Sequence, residues 1–171
     1  MLRRGYYGDL AIGEGSAILK YLADGIGSLS YPTEIRARAR VNAAMDWFNT
    51  QFHREFCFLA VYLEVLPAEL FGAAAEARPV FVRHGLDQAA HWFEVLDRHM
   101  IGARPFVCGT EITLADYLGA AYVTLGELVN FDFAAYANVQ RWLATMKGRL
   151  GWGEANAAFN GWLAALRAQA A

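Results

Sequence analysis

Glu14, Gly15 and Ser16 stand directly before an apolar, helix-forming run. The free N–H groups and positive dipole end of such a helix favour a carboxylate. Glu14 adds a partner for an ammonium, so the two halves together suit a zwitterionic α-amino-acid group. The same three residues also read as an ordinary helix start with an acidic first turn. A second set is Asn42, Asp46, Asn49 and His53, at i, i+4, i+7 and i+11. That spacing makes one polar ridge on a helix, either a solvated face or a wall of a cleft. His84, Asp87 and His91 share a helix face at a spacing that mimics a metal site. No fourth ligand accompanies them, and a solvated face accounts for them better. Cys57 and Cys108 lie far apart without metal-ligand neighbours. They read as small buried hydrophobes in a reducing compartment. No Gly-rich phosphate loop, Ser-His-Asp set or pair of catalytic carboxylates is present, and no metal is expected.

These residues need elements to hold them. A chain of 171 residues, 56% of them hydrophobic, forms one domain, or one domain and part of another. Tyr6 to Ile12 offers a single edge strand. Glu14 to Asp24 reads as a short helix closed by Gly25 and Gly27. The linker GIGSLSYPTE is the one plausible boundary, dividing residues 1–27 from 28–171. After Pro32, Thr33 is placed to cap a long helix. Its apolar stripe is Met45, Phe48, Phe52, Phe56, Leu59 and Leu63, and Pro67 ends or kinks it. A second long helix follows Pro79, with the stripe Val82, Leu86, Ala89, Phe93, Leu96 and Met100, and stops at Gly102. The third, from Thr113 to about Val129, is apolar nearly all round, as the buried centre of a bundle must be. A buried helix start cannot leave its N–H groups to water. Thr113 and Asp116 supply a capping box, and Ile112 and Tyr117 can form a hydrophobic staple. Two shorter helices cover about Tyr136 to Met146 and Trp152 to Arg167. The body is therefore an all-α bundle.

Charge and hydropathy narrow the function. The net charge is −2 with both signs spread along the chain, so no basic block suggests nucleic acid. The longest apolar stretch, Phe56 to Leu63, is too short to span a bilayer. The two N-terminal arginines are not followed by an apolar segment, which argues against a signal peptide and for the cytoplasm.

Three stretches in this order resemble the cytosolic glutathione S-transferases. IGEGSAILKYLAD is similar to the family's L-x-E-S-x-A-I-x-x-Y-L segment. FVCGTEITLADYLGAAYV is similar to its F-x-x-G-x-x-[ST]-x-A-D block. YANVQRWLATMKGRLGW is similar to its Y-P-N-x-x-x-W-x-x-x-M-x-x-x-P-x-W segment. Residues 53–56, His-Arg-Glu-Phe, resemble the H-K-x-F stretch of bacterial beta-class members. Gly15 stands where Ser is usual, and Ala137 and Leu150 where prolines are common. The resemblance implies an all-α C-terminal-type bundle preceded by a short remnant of a thioredoxin-like domain, its last strand and helix. It implies glutathione as co-substrate at Glu14, Gly15 and Ser16, with Asp46, His53 and Arg54 toward the ligand. It implies a hydrophobic electrophile among Phe56, Cys57, Tyr62 and Tyr122, a homodimer, and no further cofactor. The family's thiol-activating Ser, Tyr or Cys belongs to an earlier β-α-β unit that this sequence does not contain. Weak glutathione binding and little or no conjugation by these 171 residues is therefore the expectation. A non-catalytic transferase-like module for dimerisation or docking, or a ligand carrier without turnover, is the alternative.

Overall fold

The computed structural model describes residues 4–170. The chain opens on an antiparallel hairpin, β1 (Arg4–Tyr7) and β2 (Leu10–Gly13), with Arg4 opposite Gly13 and Tyr7 opposite Leu10. The single strand expected there is thus two. Gly8, at φ 67°, supplies the left-handed turn residue that folds the run back on itself. Helix α1 (Gly15–Gly25) follows directly.

Helix α2 (Ile35–Trp47) continues without a break through wider, π-type turns over Phe48–Tyr62 and a last turn, Leu63–Val65. Its cap is Glu34 rather than Thr33. The Glu34 carboxylate accepts from the N–H groups of Arg36 and Ala37 at 2.8 and 2.7 Å. A carboxylate reaches two orphan donors where a hydroxyl reaches one, and these bonds hold the Glu34 carboxyl below its usual pKa. After 3-10 turns over Ala68–Ala77, α3 (Arg78–Glu94) runs on as π-type turns, Val95–Ile101, and ends at Gly102 with φ 54°. The central helix α4 (Leu114–Thr124) finishes in a 3-10 stretch, Leu125–Val129. Then come α5 (Ala137–Lys147), the single turn α6 (Trp152–Ala155) and α7 (Ala157–Ala170). The last helix expected from the sequence is thus broken at Asn156.

The core is largely aromatic. Phe48, Phe52, Phe56 and Phe93 are wholly buried, and the Phe56, Phe93 and Phe131 rings meet at 4.7–5.1 Å between centroids. On α3 the stripe departs from expectation at Leu86, which is exposed. Its neighbour Gly85 takes the crossing instead. A Cβ there would lie 2.7 Å from the Ala60 backbone N and 2.8 Å from the Glu55 carbonyl oxygen, so α3 and the π-type part of α2 touch backbone to backbone. Gly119 plays the same part for α4, with the Phe48 ring filling the place of its side chain.

Two carboxylates hold the bundle ends. Asp116 is fully buried and accepts from the Thr113 N–H (2.8 Å), the Thr113 hydroxyl (3.0 Å), the Val107 N–H (2.8 Å) and the Trp142 indole N–H (3.0 Å). It completes the capping box of α4 and fastens the preceding loop and α5 to it. Asp97, near the end of α3, caps α5 from outside, accepting from the N–H groups of Asn138 (2.8 Å) and Val139 (3.0 Å). Ile112 packs on the core while Tyr117 stands exposed.

Candidate functional site

Arg38 sets α1 against the bundle. Its guanidinium takes the Asp24 carboxylate at the end of α1 with both terminal nitrogens (2.7 and 3.3 Å). It also donates from Nε to the Pro32 carbonyl and lies over the Tyr31 ring, 4.2 Å from its centroid. The planar fork suits this combination of pairing and stacking, as an ammonium would not. The Leu114 N–H adds a bond to the Ser30 carbonyl, 2.9 Å, joining the linker to the start of α4.

So held at its far end, α1 packs on α4. Glu14 occupies the cap position with φ 65° and ψ 121°, an uncommon conformation for a residue with a side chain. Its carboxylate makes no capping bond and is exposed. Gly15 is exposed, with open space where a side chain would stand, and Ser16 is half-buried. Burial raises the Tyr122 phenol pKa to about 12, with smaller contributions from Cys57, Tyr62 and, last, Glu14.

Around Tyr122 the polar ridge resolves into individual roles. Asn42 accepts from the Tyr31 hydroxyl at 3.1 Å. Asn49 accepts from the Tyr122 hydroxyl at 2.9 Å. The His53 ring lies 4.9 Å from that of Tyr122 and 6.0 Å from that of Tyr62, and burial lowers its pKa, so the imidazole is neutral at pH 7. Asp46 is exposed. Three of the four ridge residues are therefore engaged with other elements.

The remaining candidates separate. Arg54 turns to Glu55, Nε to Oε1 at 2.7 Å, on the side where His84 approaches Glu55 at 3.6 Å. Phe56 and Cys57 are wholly buried and belong to the core, not to a cleft wall. Their positions follow the same apolar stripe that builds the bundle. The Cys57 thiol donates to the Tyr122 carbonyl at 3.7 Å, and burial pushes its pKa well up, which disfavours the nucleophilic thiolate. Burial also raises Cys108. Tyr62 and Tyr122 are half-buried and keep a face toward solvent. Among the described residues, no group of three or more His, Cys, Asp or Glu is arranged to hold a metal ion, and no helix is long and apolar enough to cross a membrane.

The residues brought together are Glu14 at a helix start, the half-buried rings of His53, Tyr62 and Tyr122, and Asn49 beneath them. Such a site offers an acceptor and free N–H groups on one side, for a zwitterion, and an aromatic wall on the other. The sequence did not single out Asn49 from its ridge, nor the Arg38 clamp. The i+7 step from Asn42 was the one signal for Asn49, and nothing local marked Arg38 out from Arg36 and Arg40.

No family model matches the sequence. The chain is 30% identical over 145 residues to human glutathione S-transferase theta-2B, an alignment that takes in 84% of this chain and 57% of that protein. It thus spans a little over half the length of the curated relatives it matches. Human glutathione transferase theta-2, solved in complex with glutathione and an unknown ligand, superposes with a TM-score of 0.79 at 26% identity over 98% of this chain and 68% of that one. A glutathione transferase homologue from Sulfitobacter with bound glutathione shares the fold, with a TM-score of 0.73 at 18% identity over 90% and 71% of the two chains.

Proposed function

We propose, from the premise that the chain is of the cytosolic glutathione S-transferase type, that it binds glutathione at the start of α1 and presents a hydrophobic electrophile to the thiol along the His53, Tyr62 and Tyr122 wall. The observation that carries this is the exposed, uncapped Glu14 at the start of α1, a helix packed on α4, whose Tyr122 stands with His53 in one aromatic wall. It puts a partner for the γ-glutamyl ammonium, with the free N–H groups of α1, beside an apolar surface. Glutathione is the co-substrate, with no further cofactor. Asp46 and Arg54 are proposed as ligand contacts in the assembled protein, which is a cytoplasmic homodimer.

Glutathione thiol is mostly protonated at neutral pH, and an enzyme must supply a donor or cation to hold the thiolate. Here the Arg54 guanidinium is taken by Glu55 and the Tyr122 hydroxyl proton by Asn49. These engagements favour binding with little turnover by the 171 residues, and equally a ligand-binding module without catalysis. Calorimetric titration tests the site. Glutathione should bind, and Glu14→Ala should weaken it about ten- to a hundredfold, as loss of a charged hydrogen bond does. Gly15→Ser fits the open space at that position and should tighten binding by returning a hydroxyl donor. Robust conjugation of an aromatic halide by the chain would show that it holds its own thiol-activating group. Absence of any glutathione binding would refute the assignment.

A further inference from the structure

On the aromatic wall, the Tyr122 hydroxyl hydrogen has a defined partner. It donates to Asn49 Oδ1 at 2.9 Å, across from α4 to the π-type part of α2. A phenol has a single proton and two lone pairs. With the proton committed to Asn49, the oxygen can meet a ligand only as an acceptor. The surroundings reinforce that sign. The exposed Glu14 carboxylate is near enough for its charge to bear on Tyr122, and the Cys57 thiol is already turned to the Tyr122 carbonyl. Of the titratable groups around the phenol, Cys57 and Tyr62 lie on α2, His53 beside its ring is neutral at pH 7, and Glu14 lies at the start of α1, so none is a cation. The one cation on this stretch of α2, Arg54, is turned to Glu55.

We infer that Asn49 is a specificity-setting residue: by holding the Tyr122 hydroxyl proton it makes the wall a hydrogen-bond acceptor, so the site prefers apolar aromatic ligands that carry a neutral N–H or O–H donor over those that carry a nitro or carboxylate acceptor. The inference takes its aromatic occupant from the electrophile side of the proposed function, but its hydrogen-bond sense is independent of glutathione. A ligand acceptor aimed at Tyr122 meets only lone pairs, whereas a donor finds one unfilled. The Tyr122 proton cannot serve both Asn49 and a ligand acceptor at full strength.

The test compares two probes of nearly equal size, 4-aminobiphenyl and 4-nitrobiphenyl, by their quenching of intrinsic fluorescence at pH 7.5, where the amine is neutral. The 171-residue chain should bind the amine roughly three- to tenfold tighter, the worth of one neutral hydrogen bond. Tyr122→Phe removes the oxygen and should bring the ratio to one. Asn49→Leu releases the proton toward the ligand and should bring the ratio to one or reverse it. Asn49→Asp keeps an acceptor for the hydroxyl and should keep the preference. Circular dichroism accompanies each variant, and if Asn49→Leu does not fold, Tyr122→Phe alone decides. The inference is overturned by equal affinities in the parent, by a preference for the nitro compound, by a preference that survives Tyr122→Phe, or by no saturable binding of either probe. S-hexylglutathione titrated in parallel reads the glutathione site. Its failure to bind, with the amine preference intact, would remove the proposed co-substrate and leave this inference standing.

Discussion

At the scale of single residues, Asp116 shows what a buried carboxylate does when every donor around it is aimed at it. Three of its four donors are backbone or indole N–H groups with no access to water. Asp116→Ala would leave them unpaired, each at a cost of about 1–3 kcal/mol. Thr113→Ala removes only the hydroxyl and should cost about 1 kcal/mol, a typical cap. Thermal or urea unfolding should therefore rank Asp116→Ala well below Thr113→Ala, and near-equal midpoints would mean that the loop and indole bonds contribute nothing. His53 makes a prediction in pH. Its pKa in the fold lies below the ordinary 6.5, so the unfolded chain takes up a proton before the folded one does. Stability from this residue is intact above 6.5 and falls as pH drops from there through the folded value. His53→Gln should flatten that part of the stability profile, and an unchanged slope would show the imidazole to be free in water. The pairing of Thr113 with Asp116 could be read from spacing, because a capping box is a local matter. The bonds from Val107 and Trp142 could not, because they cross 9 and 26 residues of sequence.

At the scale of elements, periodicity located the helices and left their contacts to the fold. The stripe Met45, Phe48, Phe52, Phe56 names the buried face of α2 correctly, since each is wholly enclosed. Leu86 was misread because a helix that crosses another through a glycine turns its neighbouring residue outward. Composition offers no way to tell a packing glycine from a mobile one. The structure now separates them. Gly85→Ala sets a methyl against backbone atoms at 2.7–2.8 Å, whereas Gly15→Ala meets nothing within 4 Å. The first should lower stability by roughly 1–3 kcal/mol or more, the ordinary cost of overpacking, and the second should leave it nearly unchanged. A comparison of their unfolding midpoints checks this. The sheet was under-read for a related reason: a turn at Gly8 and Asp9 within the short run Tyr6 to Ile12 looks, residue by residue, like one short strand.

At the scale of the whole molecule, the all-α character, the bundle and the likeness to glutathione S-transferases were all legible in the sequence, because three separated blocks carried them. The disposition of the site was less so. Ridge spacing pointed to His53, but which side chains meet depends on how α1 is clamped by Arg38 and how α4 crosses α2. Surface predictions belong here. Ile26, Leu29 and Ile35 are 80%, 95% and 79% exposed around one linker. Apolar surface gathered in this way favours association, in line with the proposed homodimer. Sedimentation at tens of micromolar should show a dimer or larger species, and Ile35→Glu with Leu29→Glu should shift it toward monomer. A clean monomer in the parent would refute the proposal.

The single carboxylate of Asp116 also couples two amides of the loop before α4 to an indole further along the chain. Val107 and Thr113 give their N–H protons to its two oxygens, and neither can exchange with deuterium in the solvent while that side chain stays in place. Their exchange rates should rise and fall together under mild urea, and in step with the emission of Trp142, whose indole hangs from the same oxygen as Val107. One slow local opening would then be visible twice, in a pair of amides and in a fluorophore.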